Sequence, residues 1–300
     1  MSKASLEDVL VAKLFLKAAF PAMRVPLEEN PKYVNKFKDL NMVVEFKAED
    51  EENPLAAHLV FLTEEKANEV ADGKRYKVHD GVYEGAFGDL KVIKLHFKSI
   101  KALLGVLKGN TPLDMLGIVP SVFKNLFKKE FWAFLFLMLE LMKMMPDFVP
   151  GVDKPLDQYM KVKMSLYMIT TAMSQANKLG YEPMNKWTQK QTDRIYQFRV
   201  GPTFDADGKE IFPKFGAYLR VKGGKTKAGR GIYERKSPFV LLDFPNPDAC
   251  IAVLSGKYAF VEAVVQGCVQ IVGAGDSYAV SFNDRMMDIQ NMLIPSKFLK

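Results

Sequence analysis

Residues 238–293 read PFVLLDFPNPDACIAVLSGKYAFVEAVVQGCVQIVGAGDSYAVSFNDRMMDIQNML, and their punctuation separates five elements. The apolar run FVLLDF predicts a strand. Asn246-Pro247 opens a helix, PDACIAVL, that closes at Gly256, where a left-handed cap suits glycine. Residues 263–267, AVVQG, make a short segment, and CVQIVG predicts another strand. GAGD at 273–276 is a strand-to-helix turn in which Asp276 suits the N-cap of a last helix over 277–293. Along that helix Phe282, Met286, Ile289 and Leu293 recur at three- and four-residue steps and so share one side.

Working upstream, RIYQFRV, GAYLRVK and the segment GRGIYER read as strands, preceded by a helix over LDQYMKVKMSLYMITTAMSQANKLG. The first half of the chain repeats this order. An offset of 150 pairs Lys13 with Lys163, Leu16 with Leu166, Ala22-Met23 with Ala172-Met173, and NKF (35–37) with NKW (185–187). The register resumes at Gly73/Gly223, Lys77/Lys227 and GVYE (81–84)/GIYE (231–234). After a deletion of three residues, Phe97, Ala102, Val106-Leu107 and Gly109 pair with Phe244, Ala249, Val253-Leu254 and Gly256. Between these anchors VEFK (44–47) lines up with YQFR (196–199), and AHLVF (57–61) with AYLRV (217–221).

Self-similarity in this order predicts two homologous domains, 1–150 and 151–300, joined near PDFVPGVDKP. In the first, strands are predicted over MVVEFKA, AAHLVF, KRYKVH and LKVIKLHF, with helices over LEDVLVAKLFLKAAF, KSIKALLGVLKG and 128–145. The first copy inserts LTEEKANEVA, a short helix, and the second has a longer hairpin loop, GPTFDADGKEIFPKF. Strand runs bounded by helices indicate an α+β class, each domain a mainly antiparallel sheet covered by helices on one face.

The stretch 238–293 resembles the sterol-carrier-protein domain family, whose C-terminal half runs strand, helix with a small-Gly turn, Ala-x-x-x-Gly segment, strand and final helix. The counterparts are FVLLDF, PDACIAVLSGK, Ala263–Gly267, CVQIVG and SYAVSFNDRMMDIQNML. In the first copy KALLGVLKGN keeps the helix and its glycine, but GIVPSVFKN replaces the Ala-x-x-x-Gly segment and strand. The resemblance implies a tandem of two such domains. Each would be a five-stranded sheet with helices over one face, enclosing an apolar tunnel partly closed by the last helix. It also implies non-catalytic carriage of fatty acyl chains, sterols or other lipids.

Composition agrees with a folded, non-secreted protein. Of the 300 residues 48% are hydrophobic and 26% charged, which excludes a disordered chain. Two cysteines cannot build a disulfide framework, and Cys250 and Cys268 lack zinc-ligand spacing, so a reducing, cytoplasmic setting is expected. The acidic N-terminal stretch MSKASLEDVL does not read as an export signal. The apolar run FWAFLFLML, residues 131–139, is too short to cross a bilayer core of roughly 30 Å.

The net charge of +7 lies wholly in the second half, where 21 Lys/Arg face 14 Asp/Glu; the first half is balanced at 21 each. The basic run Lys222, Lys225, Lys227, Arg230, Arg235, Lys236 has one nearby aromatic, Tyr233, not the stacking series of a single-strand binder. Nucleic acid is therefore not expected. A solvated face and attraction to an anionic membrane surface both remain open.

Catalytic motifs are scarce. His58, His79 and His96 share no HxxH or HExxH spacing, so neither a metal site nor a histidine-centred triad is expected. No G-x-S-x-G elbow occurs, GGKT (223–226) reads as a strand turn, and DADG (205–208) as a hairpin tip. No cofactor is expected. Phe131, Phe134, Leu135, Met138 and Met142 form a second one-sided stripe, in the last helix of the first copy. The two stripes are the candidate walls of a ligand tunnel, methionine suiting walls that accommodate varied apolar ligands. The alternatives are an interaction module whose apolar terminal helices pack in an interface, and an enzyme acting on a hydrophobic substrate.

Overall fold

The computed structural model describes residues 4–50, 54–108, 124–125, 127–144 and 154–293, with the side chains of 140–144 outside the description. The chain divides into two compact units, Met1–Met142 and Lys143–Lys300. The segment PDFVPGVDKP falls almost wholly outside the described residues, as do most of GIVPSVFKN and Gly109.

In the first unit, Ser5 and Asp8 form a reciprocal capping box at the start of α1, Leu6–Leu14. The expected leading helix over residues 6–20 is helical throughout, but not uniformly α-helical. A π-helical turn, Phe15–Ala19, follows, in which the Phe20 N–H donates to the Phe15 carbonyl. Short helices α2 (Phe20–Ala22), α3 (Arg24–Glu29) and α4 (Pro31–Phe37) complete the segment. Pro21 and Pro26 fall in these short helices, where each lacks an N–H and crowds the carbonyl four residues back, so no long α-helix continues there.

The sheet consists of β1 (Met42–Ala48), β2 (Leu55–Phe61), β3 (Tyr76–Asp80) and β4 (Lys91–Phe97), in the order β3-β2-β1-β4. Only the β1–β4 pair is parallel. Alternation sends Met42, Val44 and Phe46 to one face and Val43 and Glu45 to the other. Helix α5, Glu64–Val70, lies between β2 and β3 where the insertion predicts it, capped by the Thr63 hydroxyl. Helices α6 (Ile100–Leu107) and α7 (Lys129–Met144) end the unit.

Unlike the expected one-sided cover, this sheet is buried on both faces. Val43 and Val60 of the outer face form a second small core with Leu62, Ala67, Ala71, Phe87 and Leu90. Helix α5 and the irregular segment 81–90, here called the flap, supply that cover.

In the second unit α8, Pro155–Lys178, is continuous over 24 residues, having no internal proline beyond its first turn. It is followed by α9 (Glu182–Gln189), β5 (Arg194–Val200), a small hairpin of β6 (Thr203–Phe204) and β7 (Glu210–Phe212), then β8 (Phe215–Lys222) and β9 (Lys225–Arg230). The unit closes with β10 (Val240–Phe244), α10 (Pro247–Leu254), α11 (Phe260–Val265), β11 (Gln270–Gly273) and α12 (Asp276–Leu293). Asp276 is thus the first helical residue rather than the residue before the helix.

Sheet order is β11-β10-β5-β8-β9, with β5 and β10 parallel and the rest antiparallel. Apart from the extra edge strand β11, this is the order of the first unit, and both units are α+β. GRGIYER is not a strand: β9 ends at Arg230, and Gly231 turns the chain away at φ +87°. Gly81 does the same at φ +83° after β3.

Candidate functional site

One phenylalanine of each apolar stripe packs against the sheet of its own unit. In the first unit Phe131 and Phe134 are buried, Leu135 and Met138 are half-buried, and the Met142 side chain lies outside the described residues. Phe134 packs edge-on against Phe46 of β1 and Phe61 of β2, with ring centroids 5.9 and 6.2 Å away. The opposite side of α7 leaves Trp132, Phe136 and Leu139 exposed, and the Lys36 ammonium rests 4.2 Å from the Phe136 ring. Partial burial, then neighbouring Lys32, pull the Lys36 pKa below the ordinary lysine value.

In the second unit Phe282, Met286, Ile289 and Leu293 are all at most 1% exposed. Phe282 lies against Tyr196 at 4.8 Å and Phe198 at 5.1 Å, both on β5. Phe46 and Phe198 are matching positions of the repeat, so each terminal helix seats one phenylalanine on the same strand residue.

The second unit has a cleft of about 710 Å³ where the parallel strands β5 and β10 end. Arg199 and Asp243, neighbours across that pair, form one side, and the Arg199 Nε donates to Asp243 Oδ1 at 2.8 Å. Beyond them Gly201 lets the chain pass beside Pro245, whose carbonyl oxygen a Cβ would meet head-on. Phe244, Pro202, Pro245, Val264, Val269 and Ile271 give apolar surface. Polar groups come from Arg199, Lys214, Asp243, Gln270 and Asp276. Two cations and two carboxylates leave the cleft without net charge. Val261 and Val265, on the same helix as Val264, are exposed. None of the described stripe residues is among those lining this cleft.

Sequence spacing concealed a second assembly. In the first unit strand pairing brings all three histidines to the outer face of one sheet, around Glu45. His96 Nε2 is 2.9 Å from Glu45 Oε1, and Glu45 Oε2 accepts from the Tyr83 N–H at 2.9 Å. Burial raises the Glu45 pKa, but the hydrogen bonds from His96 and Tyr83, with Lys94 nearby, hold it below the ordinary carboxylate value. The His58 and His79 rings stack 5.2 Å apart. Among the described residues, no group of three or more His, Cys, Asp or Glu side chains is placed to hold a metal ion. No described helix is long and apolar enough to cross a membrane.

No protein-family model matches the chain, and no curated protein does. Among solved structures, it is similar to the sterol carrier protein domain 2 of Helicoverpa armigera, at 17% identity with a TM-score of 0.30, over 42% of this chain and 88% of that one. The apo form of sterol carrier protein 2 from Yarrowia lipolytica is similar at 17% identity with a TM-score of 0.28, over 38% of this chain and 91% of that one. A stereoselective inverting sec-alkylsulfatase from Pseudomonas sp. is similar at 11% identity with a TM-score of 0.22, over 65% of this chain and 32% of that one.

Proposed function

We propose that the chain is a tandem of two copies of one domain, and that the second copy binds a hydrophobic small molecule and carries it without converting it. The observation behind this reading is the cleft at the β5–β10 end. Its 710 Å³ lies within the usual range for small-molecule sites, and six of its lining residues are apolar. Burying each methylene contributes roughly 0.8 kcal/mol, so an acyl chain or sterol can be held with few polar contacts. The resemblance of 238–293 to sterol-carrier domains points to the same ligand class.

In this reading the stripes of α7 and α12 belong to the packed core, each of its own copy. Exposed Lys225 and Lys227 on edge strand β9 supply transient attraction to an anionic membrane surface. Arg230 of the same strand lies 5.2 Å from the Tyr167 ring.

The test is titration of the full chain with a fluorescent fatty acid, competed by acyl-coenzyme A and by sterol. Val264→Asp and Ile271→Asp put a charge on half-buried cleft walls and should weaken binding by about tenfold or more, with the circular dichroism spectrum kept. No binding of any of the three ligands, or unchanged binding by both folded variants, would defeat the proposal. The exposed ridge Trp132, Phe136 and Leu139 would then favour the interaction-module alternative.

A further inference from the structure

We propose that the flap of the first unit is an acid-sensitive latch, closed over the stacked rings of His58 and His79 and released as that pair gains protons, whereas the matching flap of the second unit has no such control. The two flaps, residues 81–90 and 231–239, are anchored in the same way. The Gly81 N–H donates to the Ala56 carbonyl, and the Gly231 N–H to the Gly216 carbonyl, at 2.9 and 2.8 Å. The Tyr83 N–H donates to Glu45 and the Tyr233 N–H to Gln197, each at 2.9 Å. Beneath each tyrosine ring, edge-on to it, lies the side chain of the second strand: His58 in one unit, Tyr218 in the other.

What differs is chemistry. His58 faces His79 across β2–β3, and in the second unit Tyr218 covers Gly229, where a Cβ would collide with its ring. The second unit thus has the same joint with no group that titrates near neutrality.

In the first unit the joint is poorly built for charge. His58 Nδ1 donates to the Gly81 carbonyl at 2.9 Å, a bond that either protonation state keeps. His79 Nε2 is sealed from solvent with no hydrogen-bond partner, so a proton there makes a buried cationic donor without an acceptor. Two protonated rings 5.2 Å apart also repel. The surrounding charges do not offset this. Lys77 neighbours His79 on β3 and rests over the Phe87 ring; Asp80 is already paired with Lys17 at 2.6 Å. Helix α5 presents Lys66, paired with Glu69, and β4 presents Lys94 beside Glu45. Glu45 is held by His96 and Tyr83. Burial, then His58 and Lys77, push the His79 pKa below the ordinary histidine value, so folding of this region opposes proton uptake.

Release would uncover the apolar patch formed by Val43, Val60 and Val92, which the flap residues Phe87 and Leu90 cover. The acid form of the first unit would therefore present a hydrophobic surface that the neutral form hides.

Hydrogen–deuterium exchange on the full chain, corrected for intrinsic rates, at pH 7.5 and 5.5, tests this. Peptides over residues 81–90 should lose roughly tenfold of their protection at the lower pH, the factor that one unit of linked protonation supplies, and those over 231–239 should not. The double variant His58→Gln, His79→Gln should abolish the difference. Equal protection of 81–90 at both pH values, equal loss in both flaps, or an undiminished response in the folded variant would each overturn the latch. If the variant does not fold, the comparison of the two flaps in the unaltered chain decides alone.

Discussion

Asp193 accepts from both Nε and a terminal nitrogen of Arg220, at 2.9 and 2.6 Å, just before the first strand of the second unit. This bidentate bond, with Lys236 and Lys222 nearby, lowers its pKa from 3.8 to about 2. Because the folded value is depressed, the pair's contribution is present above the unfolded value, near 3.8, and is lost as pH falls through about 2. Arg220→Gln should return Asp193 to the ordinary carboxylate range in a carboxyl-carbon NMR titration; an unchanged midpoint would mean that another group holds it. The histidine cluster also belongs to this scale. Nothing in the spacing of positions 45, 58, 79 and 96 announces it, because antiparallel and parallel pairing, not sequence distance, sets those residues side by side. The one legible trace is Glu45 at the centre of strand MVVEFKA, at the position that Gln197 holds in the repeat.

Among the elements, the short apolar-rich strands are the most legible: MVVEFKA and RIYQFRV coincide with β1 and β5. The flap was misread because Ile232 and Tyr233 have strand propensity, while the positive φ of Gly231 ends pairing before them. The apolar spacing of LEDVLVAKLFLKAAF predicts the leading helix of the first unit but not the π-helical turn at Phe15–Ala19 within it. In each stripe one phenylalanine, Phe134 or Phe282, packs on aromatic rings of the sheet. Phe134→Ala and Phe282→Ala should accordingly cost about 3–5 kcal/mol each in chemical denaturation, the range for truncating a packed aromatic. A cost under about 1 kcal/mol at either site would show that the side chain borders empty space instead.

Across the whole molecule, the repeat in the sequence and the shared strand order support one domain used twice with divergent trimmings. The first unit carries α5 and a small core on the outer face of its sheet; the second has an open cleft and β11. The excess of basic residues falls in the copy with the cleft, which suits an electrostatic approach to an anionic surface followed by apolar capture. Native mass spectrometry of the gently purified full chain shows whether it carries a hydrophobic ligand. The expected result is a bound small molecule that organic solvent extracts as lipid, and that Val264→Asp fails to retain. A bare chain mass, with no adduct formed on adding fatty acid, acyl-coenzyme A or sterol, would contradict it.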